Sequence, residues 1–232
     1  MARGIRSLAA SLLAATILLA GCSGPAAAPP APERAAPDAG IQLFQLPWNS
    51  IADECENTLG PNGIAWVLTS PPQEHIISDE WWVSYQPVSY QLESRLGTRQ
   101  EFADMVTRCG SAGVDIIADA VINHMTGQDA PGTGWVGSAY EHYEYPGLYT
   151  DTDFHHCGLI GNDDIADYDS AAQVQTCELV NLADLDTASP SVRETIGAYL
   201  EDLLSLGVAG FRIDAAKHMA ADDVAAIVAA LP

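Results

Sequence analysis

The chain has 232 residues, 48% of them hydrophobic, enough to bury a sizeable core in one or two domains. With 31 acidic against 9 basic residues its formal net charge is -22, which excludes nucleic acid and anionic lipid as partners because both would be repelled. No low-complexity acidic run exists, so the charge describes a solvated surface rather than disorder, and it would favour a divalent cation wherever carboxylates converge.

The N-terminus reads as an export signal. Arg3 and Arg6 precede an apolar run over 8–19, too short to span a bilayer. The run closes on Leu19-Ala20-Gly21-Cys22, which is similar to a bacterial lipobox, in which Cys22 would carry lipid. Residues 1–22 are therefore expected as a lipoprotein-type signal, and 23–39, rich in Pro and Ala, as an extended linker. A lipid anchor at Cys22 would be the only membrane contact of an exported protein, cell-surface or secreted. Cys55, Cys109, Cys157 and Cys177 remain, an even number suited to disulfides in an oxidising compartment. They leave three pairings open, and none has the CxxC spacing of a zinc site.

Further along, 41–46 reads as a short strand, and 48–59 as a helix from the spacing of Ile51, Cys55 and Leu59, with Asn49 or Ser50 as N-cap. A buried strand is expected over 65–69, a long loop over 70–98, and a helix over 99–112 with Phe102, Met105 and Val106 as its apolar face. The run 114–122 is a strand, apolar except at Asp115 and Asp119. Residues 123–180 lack periodicity and read as an irregular insertion. A helix opened by Pro190 follows over 189–206, then a strand over 208–213 and a helix over 221–231. Alternating strands and helices imply a parallel sheet with crossover helices, apolar on both faces. The fold class is α/β: the N-terminal half of a (β/α)8 barrel, with 40–122 and 181–232 as barrel and 123–180 as an inserted domain. A four-strand doubly wound sheet is the alternative; no GxGxxG follows the first strand, so nucleotide binding has no support.

Polar residues in buried strands are costly unless they have a partner or a use. Asp119 and Asn123 share one parity at the third strand, Arg212 and Asp214 at the fourth, and both sets lie at C-terminal strand ends, where barrel enzymes keep their active sites. Two satisfied buried ion pairs would be the purely structural account, but Asn123-His124 and Lys217-His218 follow each set directly.

These segments carry a resemblance. DIIADAVINHM (115–125), NLADLDT (181–187) and GFRIDAAKHM (210–219), with WWVSYQPVSY (81–90), resemble in order and spacing the diagnostic segments of the α-amylase family of glycoside hydrolases, most closely its animal and actinobacterial members. The likeness runs from about residue 40 to the end. It implies hydrolysis of internal α-1,4 bonds of starch or glycogen with retention, which needs two carboxyl groups about 5–5.5 Å apart. By resemblance Asp214 is the nucleophile, kept ionised by Arg212. Asp119 and His124 would hold sugar hydroxyls, Tyr85 would stack on that sugar, and Trp81 and Trp82 would form an aromatic platform, with Gln86 beside them. Lys217 and His218 would contact sugar on the leaving-group side.

The resemblance also implies a calcium ion pinning the inserted domain, held by the side chains of Asn123 and Asp184 and the backbone carbonyls of Gln175 and His218. It implies the disulfides Cys55–Cys109 and Cys157–Cys177. His155-His156 reads instead as a solvent-exposed pair. Chloride activation is left undecided. The family's general acid is a Glu on a strand after the nucleophile, and residues 215–232 contain no Glu. The expectation is therefore a fragment, monomeric when full length, whose activity alone is doubtful; the alternatives are an inactive fragment or glucan-binding module, or an α-glucan transglycosylase.

Overall fold

The structure, a computed structural model, describes residues 38–232; the expected signal, Cys22 and most of the linker lie outside the described residues. Strand β1 (Gly40–Leu43) is followed by helix α1 (Trp48–Glu54), a wide π turn over Cys55–Leu59 and the short helix α2 (Gly60–Asn62). Strand β2 (Trp66–Thr69), helix α3 (Arg99–Ser111) and strand β3 (Asp115–Ala120) come next. After β3 the chain makes a two-stranded hairpin of β4 (Gly132–Thr133) and β5 (Ala139–Tyr140), and helix α4 (Ala171–Thr176). Helix α5 (Pro190–Ser205), strand β6 (Gly210–Ile213) and helix α6 (Ala221–Ala229) complete it.

The main sheet is parallel, in the order β1-β2-β3-β6, each strand beside the one that precedes it among these four. A doubly wound sheet reverses its strand order at a switch point. No reversal occurs here, and the progression is that of part of a (β/α)8 barrel. Helices α1 and α3 cover the sheet through Ile51, Phe102 and Met105, all fully buried, with Trp48 edge-on to Phe102 at 5.1 Å between centroids. Burying each such side chain is worth about 1.5–3 kcal/mol, which outweighs the weak local propensity of these short elements. Val192, Ile196, Leu200 and Leu203 give α5 its buried stripe at helical spacing. Residues 123–180 do not separate as a unit of their own, since the described residues form one compact unit.

Several element boundaries shift, each for a local reason. The first strand stops at Leu43 rather than 46, because Gln45 takes a positive φ of 57° and its N–H turns to Ser70 Oγ at 2.8 Å. Helix α1 is capped neither by Asn49 nor by Ser50: Pro47 is the N-cap, and the Trp48 N–H donates to the Leu96 carbonyl at 3.0 Å. Asn49 spends its amide on Glu101 instead. The expected single helix over 48–59 widens into the π turn, which keeps both Cys55 and Leu59 inward. Helix α3 begins with a capping box, Thr98 and Glu101 each accepting from the other's backbone N–H. The expected loop over 70–98 is largely buried: Ser70, Gln73, Glu74 and His75 are fully inaccessible, and Gln73 Nε2 donates to the Ser84 carbonyl at 2.9 Å. It carries a 3-10 turn over Trp81–Tyr85.

Candidate active site

Strands β3 and β6 are in register at Asp119 and Arg212. That pairing brings the two polar residues of otherwise apolar strands face to face. Arg212 Nη1 donates to both carboxylate oxygens of Asp119 at 2.6 Å and lies 3.0 Å from Asp214 Oδ1. The guanidinium thus bridges two carboxylates, with its tighter grip on Asp119. Burial pushes the Asp119 carboxyl up to about 6, while the hydrogen bond and charge of Arg212 pull it back. The Tyr85 hydroxyl also donates to Asp119 Oδ2 at 2.9 Å, and burial together with that carboxylate raises the phenol well above its ordinary value. Tyr85 is therefore a fixed neutral donor.

Asp214 leaves β6 at the rim, its N–H still bonded to the Ala120 carbonyl at 2.9 Å. Ala215 then takes a left-handed φ of 51°. Such a conformation is strained for a residue with a Cβ and is common where a site demands a sharp exit. It reverses the chain at once into the turn Ala216–His218 and leaves the Asp214 side chain partly exposed.

The rim opens on a cavity of about 500 Å³ lined by Phe44, Trp81, Trp82, Tyr85, His124, Leu182, Arg212 and Asp214 among others. Trp81 lies edge-on to Phe44 at 5.5 Å and to Tyr85 at 6.1 Å, so one wall is aromatic while the floor is charged. His124 Nε2 donates to the Tyr85 carbonyl at 3.0 Å, and its Nδ1 accepts from the Asn123 amide at 3.2 Å. This is a neutral imidazole, in line with burial lowering its pKa.

Other expected contacts lie elsewhere. Asp119 is fully buried behind Arg212 and Tyr85, so its oxygens are already taken. Gln86 Oε1 accepts from Thr126 Oγ1 at 2.9 Å and from the Gly127 N–H at 3.1 Å, turning away from the main cavity. Neither Lys217 nor His218 lines the cavity: Lys217 Nζ lies 5.6 Å over the Tyr168 ring, and the His218 Nδ1–H donates to the Val174 carbonyl at 3.0 Å. Both are drawn toward the insertion because the reversal at Ala215 turns the chain that way. Phe44 was not foreseen; the turn at Gln45 swings it onto the Trp81 wall.

The residues expected around a cation do converge in part. Asn123 Nδ2 donates to Asp184 Oδ1 at 3.2 Å, and Asp184 is 2% exposed. Burial pushes the Asp184 carboxyl up to about 6, with the His155 hydrogen bond and charge opposing. The Asn123 nitrogen serves Asp184 and His124, and its amide oxygen has no donor among the described residues. Helix α4, which carries Gln175, packs on the turn that carries His218. Among the described residues no group of three or more His, Cys, Asp or Glu side chains is placed to hold a metal ion by itself. A buried carboxylate short of positive charge, beside an uncommitted amide oxygen, nevertheless fits a hard cation whose remaining ligands are backbone carbonyls. His155 corrects its sequence reading: it is 24% exposed, and its Nδ1–H donates to Asp184 Oδ2 at 2.7 Å, whereas His156 is 43% exposed beside Asp151. The disulfides are Cys55–Cys109 and Cys157–Cys177, the pairing the resemblance implied.

Residues 67–227 match the family description "Alpha amylase, catalytic domain". An α-amylase of Thermomonospora curvata is 49% identical over 242 aligned positions, covering 98% of this chain and 39% of that protein. An α-amylase of Streptomyces violaceus is 46% identical, again over 98% of this chain and 38% of its own length. Among solved structures, α-amylase I of Eisenia fetida, a variant in complex with maltohexaose, superposes with a TM-score of 0.82 at 39% identity, covering 85% of this chain and 41% of that one. The chain thus spans about two fifths of the length of the relatives it matches.

Proposed function

The chain belongs to the α-amylase family of glycoside hydrolases, and on that premise we propose that the whole protein hydrolyses internal α-1,4 bonds of starch- or glycogen-type glucans with retention, using Asp214 as nucleophile. The observation that carries this reading is the bridge from Asp119 through Arg212 to Asp214 at the rim of a cavity with an aromatic wall. In this reading Asp214 attacks the anomeric carbon, the glycosidic C–O bond breaks as a general acid that is not among the described residues protonates the departing oxygen, and water then opens the glycosyl ester. Arg212, 3.0 Å from Asp214 Oδ1, would hold the attacking carboxylate in place. Asp119, itself held by the Tyr85 hydroxyl, holds Arg212 so that it costs no reorganisation during the reaction. Sugar rings would stack along Trp81 and Trp82, while His124, its two ring nitrogens taken by the Tyr85 carbonyl and the Asn123 amide, would hold the cavity lining in place. Asp119, the other carboxylate here, is committed to Arg212 and Tyr85 and is not assigned the acid role.

A calcium ion would be held by Asn123 Oδ1, the Asp184 carboxylate and the carbonyls of Gln175 and His218, supplying the charge that buried Asp184 lacks. Two disulfides fit an oxidising compartment, and among the described residues no helix is long and apolar enough to cross a membrane. Export, with Cys22 as lipid attachment, is part of the proposal.

The test is the configuration of the first products from a maltooligosaccharide, followed by NMR. The α-anomer first supports the double displacement, and Asp214→Asn should abolish hydrolysis while leaving glycogen binding in place. Initial β-anomer, or an active Asp214→Asn variant, would sink it.

A further inference from the structure

The β4–β5 hairpin turns over Gly134–Gly137, the Gly137 N–H donating to the Gly134 carbonyl at 3.0 Å, so Trp135 and Val136 occupy the two corners. Turn corners favour small or polar residues, which supply the backbone angles or bond to the turn itself. Here they hold two large apolar side chains, 43% and 36% exposed, that take no part in the core.

The turn is built, not loose. Fully buried Glu74 accepts the N–H groups of Val136 and Ser138 on Oε1, at 2.9 and 3.2 Å, while Ser89 Oγ donates to its other oxygen. The Trp135 N–H donates to the His75 carbonyl at 2.9 Å, and the indole rests 5.5 Å from the His75 ring. A Cβ on Gly134 would run into the Glu74 carboxyl, and Gly137 has a φ of 98°. A buried carboxyl and two glycines thus fix the backbone that carries the exposed indole.

The same segment continues from His75 into the Trp81–Trp82 wall, stiffened where Arg95 Nη1 donates to the carbonyls of Asp79 and Glu80. Two exposed aromatic surfaces are therefore mounted on one ordered stretch. The ring beside Trp135 is that of His75, a neutral imidazole whose Nδ1–H donates to the Ile76 carbonyl at 2.7 Å while its Nε2 accepts the Arg95 N–H at 3.2 Å, and Ser138 of the same turn accepts from Gln91 at 2.9 Å. An indole face beside neutral hydrogen-bonding groups, on a chain of net charge -22, suits an uncharged polyhydroxylated ring and repels a polyanion.

We propose that Trp135 is an auxiliary α-glucan contact, gripping a chain that extends beyond the Trp81–Trp82 wall; this rests on the glucan-cleaving reading above. A contact fixed before binding loses little freedom on complex formation, so its effect shows directly in affinity. The experiment is electrophoresis of the full chain through native gels containing glycogen, with maltotriose binding followed separately by fluorescence. Trp135→Ala should weaken glycogen binding roughly three- to tenfold and leave maltotriose binding unchanged. Trp135→Phe should retain most of it, and Trp81→Ala should weaken both ligands. If Trp135→Ala runs as the parent while Trp81→Ala loses glycogen, Trp135 is no contact and the cleft reading survives. If both run as the parent, the cleft reading fails as well.

Discussion

Asp119 and Asp184 are buried carboxyls under the same penalty, each pushed up to about 6 by desolvation. Around Asp119 the chain supplies a guanidinium that is charged at every relevant pH, gripping both oxygens. Around Asp184 the described residues supply only His155, which titrates, and an asparagine amide. The strand-end cleft is thus electrostatically complete within the two strands, whereas the junction with the insertion is left short of positive charge. The rim that carries Asp214 is built on sheet register, which fixes positions firmly, while the junction, in the proposed reading, would take its missing charge from a bound calcium ion.

That contrast can be broken at either end. The largest effect is expected at the cleft: Arg212→Ala leaves Asp119 buried and unpaired, costing about 3 kcal/mol, the low end for broken buried pairs because the guanidinium is itself part-exposed. Urea unfolding should show the loss equally with and without calcium. Rescue by calcium would erase the distinction between the two regions.

Next comes the brace beside the junction. Cys157 and Cys177 close a loop of 20 residues' separation, and the double Ser variant should lose about 3 kcal/mol or less on loop-entropy grounds. Hydrogen exchange should rise in 157–180 and stay low in β3 and β6. Exchange rising in both places would mean that sheet and insertion unfold as one. Calcium itself should act at the junction, raising stability by about 2.7 kcal/mol at a hundredfold excess over its Kd, and Asp184→Asn should remove that gain where Asp119→Asn keeps it. Thermal scans with and without chelator measure both.

The smallest effect is in pH. The folded Asp119 carboxyl titrates near 6, above the 3.8 of the unfolded chain, so the folded state holds this proton more tightly between those values. Its contribution to stability is full below about 4 and lost as pH rises through about 6. The urea midpoint of the parent should fall relative to Asp119→Asn between pH 4.5 and 7. Parallel profiles would show that Arg212 already cancels the burial penalty.

The sheet and the cleft floor were legible because a charged residue stands out in an apolar strand: Asp119, Arg212 and Asp214 each interrupt such a run, and strand parity puts them on one face. Residues whose roles depend on irregular backbone were not. His155 meets Asp184 across 29 positions of aperiodic chain, and no spacing rule connects them. Phe44 joins the aromatic wall only because Gln45 takes a positive φ, and Lys217 leaves the cavity only because Ala215 does. Gln86, beside the aromatic platform in sequence, is captured by Thr126 and Gly127. The Thr98–Glu101 capping box, by contrast, is a local pattern that the sequence itself displays, Thr and Glu three residues apart at the head of α3.

The most direct test of Asp214 as nucleophile separates attack from proton donation. A maltosyl fluoride carrying a second fluorine on the reacting ring loses fluoride without needing a proton, and the ring fluorine slows opening of the resulting ester. The C–F bond breaks, fluoride leaves, and an ester forms between the anomeric carbon and the attacking carboxylate. Incubation with the chain followed by peptide mapping should give one adduct, on the peptide containing Asp214, absent from Asp214→Asn. An adduct on another carboxylate, or an unmodified Asp214 in a chain that still binds glycogen, would contradict the account.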